Sequence, residues 1–365
     1  MTDVRVVVKI GTSSLTDEHG TVDDAAITKL ADEIAGLRAD GGEVIVVSSG
    51  AVAAGVAALG LTERPSDVAT LQALSAAGQP RLMRSWDAAL GRHGLVPAQA
   101  LLVPHDFVDR RQYLHARRTL SRLLELGTIP IINENDAIAR DESRYGDNDR
   151  LAALVAHNVG AAVLVLLTDL DGLYTADPRV HDDAQLVTRV RVDDPMLSIS
   201  AGRGGSGRGS GGMASKLEAA RIASWSGVRT VIANAARAGV LAGAVADEPV
   251  GTSFEAHRRK LAARKLWIAF AARVAGSVTV DDGARRALVE RQTSLLPAGV
   301  VGIDGRFGEG DTVDVVGSDG VPFARGMVFV EAAQLRRVAG RHTSDLPVGM
   351  SHEVIHRDDL VVLPS

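Results

Sequence analysis

Residues 4–13 read VRVVVKIGTS, an apolar run that ends in glycine and hydroxyl side chains. Its apolar part is continuous rather than alternating, which suits a parallel strand covered on both faces. Similar runs recur at residues 44–47, 128–132, 163–167 and 230–233. Between them lie Ala- and Leu-rich stretches, residues 23–38, 66–90 and 117–126, that read as helices. Strands alternating with helices predict an α/β unit, an open and mostly parallel sheet with helices on both faces.

The chain is long enough for more than this unit. At 365 residues it fits about two domains of roughly 150 residues each. The rhythm changes near residue 257, where the basic stretch HRRKLAARK begins. Beyond it come short β-like runs at 277–280, 312–316 and 327–330, separated by Gly, Asp and Pro, which suggest a small barrel or sandwich. The expected division is therefore 1–256 for the α/β domain, 257–272 for a basic linker and 273–365 for a β-barrel-like domain. With no cysteine in the chain, disulfides, thiolate metal sites and a Cys nucleophile are excluded. The longest apolar run, residues 161–167, has seven residues, far short of the roughly 18 that mark a membrane helix. A cytoplasmic protein with no membrane association is expected.

In an open parallel sheet, ligands bind beyond the carboxyl ends of the strands. Here those ends are polar: Lys9-Ile10-Gly11-Thr12-Ser13 after the first run, Ser48-Ser49-Gly50 after the second, Asn133-Glu134-Asn135-Asp136 after the third and Thr168-Asp169 after the fourth. One polar loop is ordinary, but four on one edge describe a site. A glycine-rich segment at 202–212 then leads into a helical stretch with Lys216 in its first turn. Glycine lets backbone N–H groups approach an anion, and a helix N-terminus adds partial positive charge. Only five lysines occur, and Lys9 and Lys216 both stand beside such loops, where a compact ammonium suits a phosphoryl oxygen.

Other motifs fail on context. No lysine follows a glycine, which excludes the Gly-Lys-Ser/Thr phosphate loop. Gly202, Gly204 and Gly207 match the dinucleotide spacing, but no strand leads into them and no acidic residue stands about 20 positions on. The single RGG triplet at 203–205 is a poor RNA-binding signal in a chain of net charge −5. The segment HEVIH at 352–356 has the zinc-protease spacing, yet no His or Glu follows it to serve as a third ligand.

Taken in order, KIGTSSLT, VVSSGAVAAG, INENDA, YGDND, LLTDLDGLYTADPR and GSGGMASK resemble the glutamate 5-kinases of the amino acid kinase family, and the segment from Arg273 resembles the PUA domain that many bacterial members carry. This resemblance implies transfer of a phosphoryl group from ATP, with Mg²⁺, to the side-chain carboxylate of L-glutamate. The product would be glutamyl 5-phosphate, the first step towards proline. It implies catalytic roles for Lys9, Lys216 and Asp149, and glutamate binding by Ser49, Asp136, Asn148, Asn133 and Asp147. Nucleotide binding falls to Lys9, Gly11, Thr168, Asp169 and the run Ser210, Gly211, Gly212, Met213, Ala214, Ser215 and Lys216. No protein metal site is implied, since Mg²⁺ is usually held by phosphate oxygens and water. Feedback inhibition by proline, a homo-oligomer and delivery of the product to a glutamyl-phosphate reductase are further implications.

The chemistry fits those residue types. A glutamate side chain titrates near pH 4.3 in water, so the nucleophile is already ionised and no general base is required. Positioning and electrostatic stabilisation remain. Two other functions are compatible with the same features: a same-fold kinase for another carboxylate or a carbamate, and an RNA-binding or RNA-modifying protein. Against the second, residues 273–365 carry ten arginines, no lysine and 13 acidic residues, a balance of 10 − 13 = −3, so no strong nucleic-acid binding is expected.

Overall fold

The computed structural model describes residues 4–17, 21–107, 109–138, 148–192, 194, 212–258, 261–271, 274–347 and 351–363. The chain divides into two compact units, Met1–Lys260 and Leu261–Ser365.

The strands of the first unit are β1 (Arg5–Ile10), β2 (Glu43–Ser48), β3 (Pro97–Leu102), β4 (Ile129–Glu134), β5 (Val163–Thr168), β6 (Arg189–Val190), β7 (Arg229–Asn234) and β8 (Gly251–Phe254). They form one sheet in the order β3-β4-β2-β1-β5-β7-β8-β6, in which only the β7–β8 pairing is antiparallel. The helices are α1 (Asp24–Ala39), α2 (Ala51–Ala58), α3 (Val68–Gly91), α4 (Arg110–Glu125), α5 (Asn148–Val159), α6 (Met213–Trp225) and α7 (Val240–Val245). The mostly parallel α/β architecture is as the apolar runs implied, and all five of those runs are strands of this sheet.

Strand parity decides which helices each side chain meets. Val6, Val8 and Ile10 of β1 share a core cluster with Ile27, Leu30 and Ile34 of α1 and with Leu82 and Trp86 of α3. Val7 and Lys9 alternate onto the other face, where α5 packs against β1 and α6 against α5. An aspartate marks the start of three helices: Asp23, Asp67 and Asp109 each accept a backbone N–H in the first turn of α1, α3 and α4, filling part of the open bonding capacity there. The cap at Asp109 explains why α4 starts at Arg110, seven residues before the expected start at 117. Helix α3 runs through Pro80, whose missing N–H costs about 3 kcal/mol in a helix interior. Burial of Leu74, Leu82, Trp86 and Leu90 on either side outweighs that loss.

In the second unit, β9 (Val274–Val280), β10 (Val300–Gly305), β11 (Thr312–Val316), β12 (Pro322–Met327) and β13 (Leu360–Val362) make a sheet in the order β10-β9-β11-β12-β13. Only the β9–β11 pair is parallel. The core of this unit contains Val278, Val280, Leu288, Val313, Val315, Leu335 and Ile355. The β-like run at 327–330 is not a strand as a whole: β12 ends at Met327, while Val328 and Val330 are buried without strand pairing. The boundary falls inside the segment 257–272. Residues Ala263–Leu266 and Trp267–Ala271 are helical, with Leu266 and Ile268 buried, and Arg325 donates to the Ala269 carbonyl at 2.7 Å. Among the described residues no helix is long and apolar enough to cross a membrane.

Candidate active site

The carboxyl ends of β1, β2, β4 and β5 lie on one edge of the sheet because these strands are parallel. Lys9, the penultimate residue of β1, is only 4% exposed. Its Nζ lies 2.7 Å from Oδ1 of Asp149, in the first turn of α5. The other carboxylate oxygen of Asp149 lies 3.2 Å from Nζ of Lys216, in the first turn of α6, and accepts from Ser215 Oγ at 2.6 Å. Lys9, Asp149 and Lys216 thus come from positions 140 and 67 residues apart (149 − 9 and 216 − 149) into one buried cluster.

Burial alone would drive the Asp149 proton affinity up, but the Lys9 and Lys216 ammonium groups overcome it and hold the carboxyl well below the usual range. Burial lowers the Lys216 value; Asp149 opposes that shift and Lys9 reinforces it. At formal charges, two ammonium groups and one carboxylate sum to 2 − 1 = +1. An arrangement of this sign attracts an anion and leaves no group suited to removing a proton.

A second set of side chains is continuous with this cluster. Asn148 precedes Asp149, and its Nδ2 donates to Ser49 Oγ and to Asn133 Oδ1, both at 3.0 Å. Asp136 accepts from Ser75 Oγ at 2.5 Å. Its carboxyl is raised by burial, while the Ser75 hydrogen bond and the Arg64 charge pull it down. Ser49, Asn133, Asp136 and Asn148 are all buried, so their polar groups are fixed before any ligand arrives.

On the other side, Thr168 ends β5 and donates to the Asp169 carboxylate at 3.0 Å. Gly11 follows β1, and a Cβ added there would lie 3.4 Å from Lys9 Nζ, so glycine keeps the space beside the ammonium open. Gly212 begins α6 without any side-chain cap, which leaves first-turn N–H groups available to an anion. The site suits a phosphoryl group near two lysines, with a polar, partly acidic pocket beside it.

The amino acid kinase family model matches residues 4–234, and the PUA domain model matches residues 276–349. The chain belongs to the amino acid kinase family, among its glutamate 5-kinases. These kinases include relatives from Mycobacterium ulcerans, 47% identical over 358 residues with 98% of this chain and 96% of the relative covered, and from Thermobifida fusca, 47% identical over 365 residues with 98% and 93% covered. The fold is shared more widely: isopentenyl phosphate kinase of T. acidophilum, 19% identical, superposes with a TM-score of 0.50 over 69% of this chain and 100% of its own.

For this amino acid kinase, Lys9, Asp149 and Lys216 meet in the structure, and so do Ser49, Asn133 and Asn148. Asp136 lies against Ser75. Gly212, Met213, Ala214 and Ser215 form the entry to α6, whereas Asp147, Ser210 and Gly211 lie outside the described residues. Ser75, Gln79 and Trp86 on α3 were not singled out by the sequence. Each bonds a residue at or just beyond a strand end, and the only available signal was a pair of polar residues four apart on an apolar helix face. The HEVIH segment is not helical: Ile355 bridges to Leu295 and His356 caps a short 3₁₀ turn. Its histidines therefore do not share the helix face that zinc-protease spacing requires.

Proposed function

We propose that this chain transfers the γ-phosphoryl group of ATP to the side-chain carboxylate of L-glutamate, giving L-glutamyl 5-phosphate, the first step towards proline. The observation that carries this reading is the placement of Asn148 and Asp149. One joins the polar pocket of Ser49 and Asn133, and the other holds Lys9 and Lys216. The 47% identical relatives named as glutamate 5-kinases support the choice of substrate.

In this reading Asp136 pairs with the substrate ammonium, while the Ser49 hydroxyl and the amides of Asn133 and Asn148 orient its carboxylates. One side-chain carboxylate oxygen attacks the γ-phosphorus as the bond to the β–γ bridging oxygen breaks, and ADP leaves with that electron pair. Lys9 and Lys216 stabilise charge spread over the transferring group, which is the main task in phosphoryl transfer. Asp149 keeps the two ammonium groups in place.

Thr168, Asp169 and the start of α6 hold the nucleotide. Mg²⁺ would enter on ATP, held mainly by phosphate oxygens and water, and would neutralise phosphate charge. Proline has the same α-carboxylate and a cationic nitrogen, and it occupies the glutamate pocket as a feedback inhibitor. Its inhibition should weaken as glutamate rises; inhibition independent of glutamate would place proline elsewhere.

The direct test is incubation with ATP, Mg²⁺, hydroxylamine and single amino acids, with the hydroxamate as readout. L-glutamate should react far faster than aspartate or N-acetylglutamate. Preference for N-acetylglutamate would overturn the assignment, because a blocked amine cannot pair with Asp136.

A further inference from the structure

Hydrogen bonds in the glutamate half have a direction, and backbone groups determine it. The Glu134 N–H can only donate, and it reaches Asn133 Oδ1 at 2.9 Å. The other end of that amide, Nδ2, is therefore the donor, and it reaches Gln79 Oε1 at 2.9 Å. The Ser48 carbonyl can only accept, and it lies 3.4 Å from Asn148 Nδ2. That same Nδ2 donates to Asn133 Oδ1 and Ser49 Oγ. Since Ser49 Oγ accepts from Asn148, its hydroxyl proton remains to be donated to an anion.

Gln79 ends this series. It is buried on α3, and its Nε2 has no hydrogen-bond partner among the described residues, nor has Oδ1 of Asn148. Its position depends on an unusually close approach of α2 and α3. A Cβ at Gly78, the preceding residue, would stand 1.9 Å from the Ala51 carbonyl oxygen, and one at Gly55 would stand 1.9 Å from that of Leu74.

We propose that Gln79 is a positioning residue for the amino-acid substrate: its side-chain oxygen locks the Asn133 amide, and through it Asn148, so that Ser49 presents its proton to the substrate carboxylate. This rests on the assignment of Ser49, Asn133 and Asn148 to the glutamate half. Without the Gln79 acceptor, the buried Asn133 NH₂ loses its partner, and such a group is costly to leave unsatisfied. Turning the amide over would face donor against donor at both Glu134 N–H and Asn148 Nδ2. The orientation of the whole series is then lost, although Gln79 itself acts only through Asn133.

The test compares Gln79→Met, which keeps length and apolar volume but removes the acceptor, with Asn133→Ala and the double variant. Gln79→Met should raise glutamate KM about 10-fold, the scale of one misplaced hydrogen bond to a charged group, and leave ATP KM within about two-fold. The double variant should be no worse than Asn133→Ala alone, because both act through one amide. Equal changes in both KM values, or a Gln79→Met effect that multiplies in full onto Asn133→Ala, would overturn the proposal. Should Gln79→Met fail to fold by circular dichroism, Gln79→Glu replaces it: assayed below neutral pH, where a buried carboxyl holds its proton, it keeps an acceptor and should retain a glutamate KM near that of the unaltered chain. A raised KM there would count against the proposal. An unchanged glutamate KM in Asn133→Ala would instead remove the glutamate-half assignment on which the inference stands.

Discussion

Asn148 and Asp149 are neighbours in the first turn of α5, yet their side chains join different halves of the site: Asn148 bonds Ser49 and Asn133, and Asp149 bonds Lys9 and Lys216. A small rotation of α5 would therefore disturb the Ser49–Asn133 contacts and the lysine pair together, which in the proposed reaction are substrate positioning and charge placement. Both side chains are nearly inaccessible to solvent, so their geometry is set by packing before ligands bind.

Replacing either lysine by alanine should lower kcat by roughly 10²-fold or more, as loss of a strong electrostatic stabiliser typically does, with a smaller change in glutamate KM. Steady-state kinetics with glutamate and ATP varied separately check this. Asp149 stays ionised because its folded value is depressed. Its contribution to stability is present above the unfolded value near 3.9 and is lost only as pH falls through the lower folded value. No acidic limb in the rate profile above about pH 5 should trace to Asp149; one that vanished in Asp149→Asn would argue for proton transfer by that residue.

Asp136 behaves in the opposite sense. Burial raises its value and the Ser75 hydrogen bond counteracts the rise. The folded chain thus holds this proton more tightly than the unfolded one, and the group weakens folding as pH rises from about 3.9 through the raised value. In the proposed reading the ionised form pairs with the substrate ammonium, so glutamate KM should climb as pH falls through that value. Ser75→Ala should move the climb to higher pH. Identical KM profiles for Ser75→Ala and the unaltered chain would remove Asp136 as the ammonium partner.

Gly55→Ala and Gly78→Ala should each destabilise the first unit by about 1–3 kcal/mol or more, the cost of overpacking, because the added carbon meets backbone rather than a side chain that can turn away. Thermal unfolding measures the loss. The folded fraction should also show a raised glutamate KM, since α3 carries Ser75 and Gln79. A normal Tm in both variants would show that the two helices can separate freely.

Truncation after Lys260 should leave measurable kinase activity, because all the described candidate active-site residues precede that point and the second unit has its own apolar core. A cut at residue 272 would instead leave the buried Leu266 and Ile268 without their partners. The isolated second unit should not bind RNA tightly. A groove of about 750 Å³ there is lined by Asp281 and Glu353 as well as His356 and Arg357, a mixed-charge lining that matches a polyanion poorly. Submicromolar, salt-dependent binding in a fluorescence assay would contradict this.

Continuous apolar runs identified the five central strands, and Lys9, Ser49, Asn133 and Thr168 were legible as candidates for the site because each ends or follows such a run. Edge elements were harder to read. Strand β3, with the sequence PAQALL, is half-covered and its exposure alternates, while β6 has only two residues; neither makes a continuous run. The start of α4 was hidden because its first turns are polar and arginine-rich.

The residue types at the candidate site were determined by the sequence alone: which lysines stand beside glycine loops, which polar residues terminate buried strands, and that no cysteine or Gly-Lys phosphate loop exists. Strand parity even assigns Lys9 to the face opposite Val8. What only the tertiary structure decided is which of these groups meet. Asp149 pairs with two lysines far away in the chain, and Gln79 reaches Asn133 because two glycines let α3 approach α2 at backbone distance. Residue type and periodicity are local properties and can be read in order along a chain. Distances between remote side chains depend on how helices settle on the sheet, and that is fixed by packing across both of its faces.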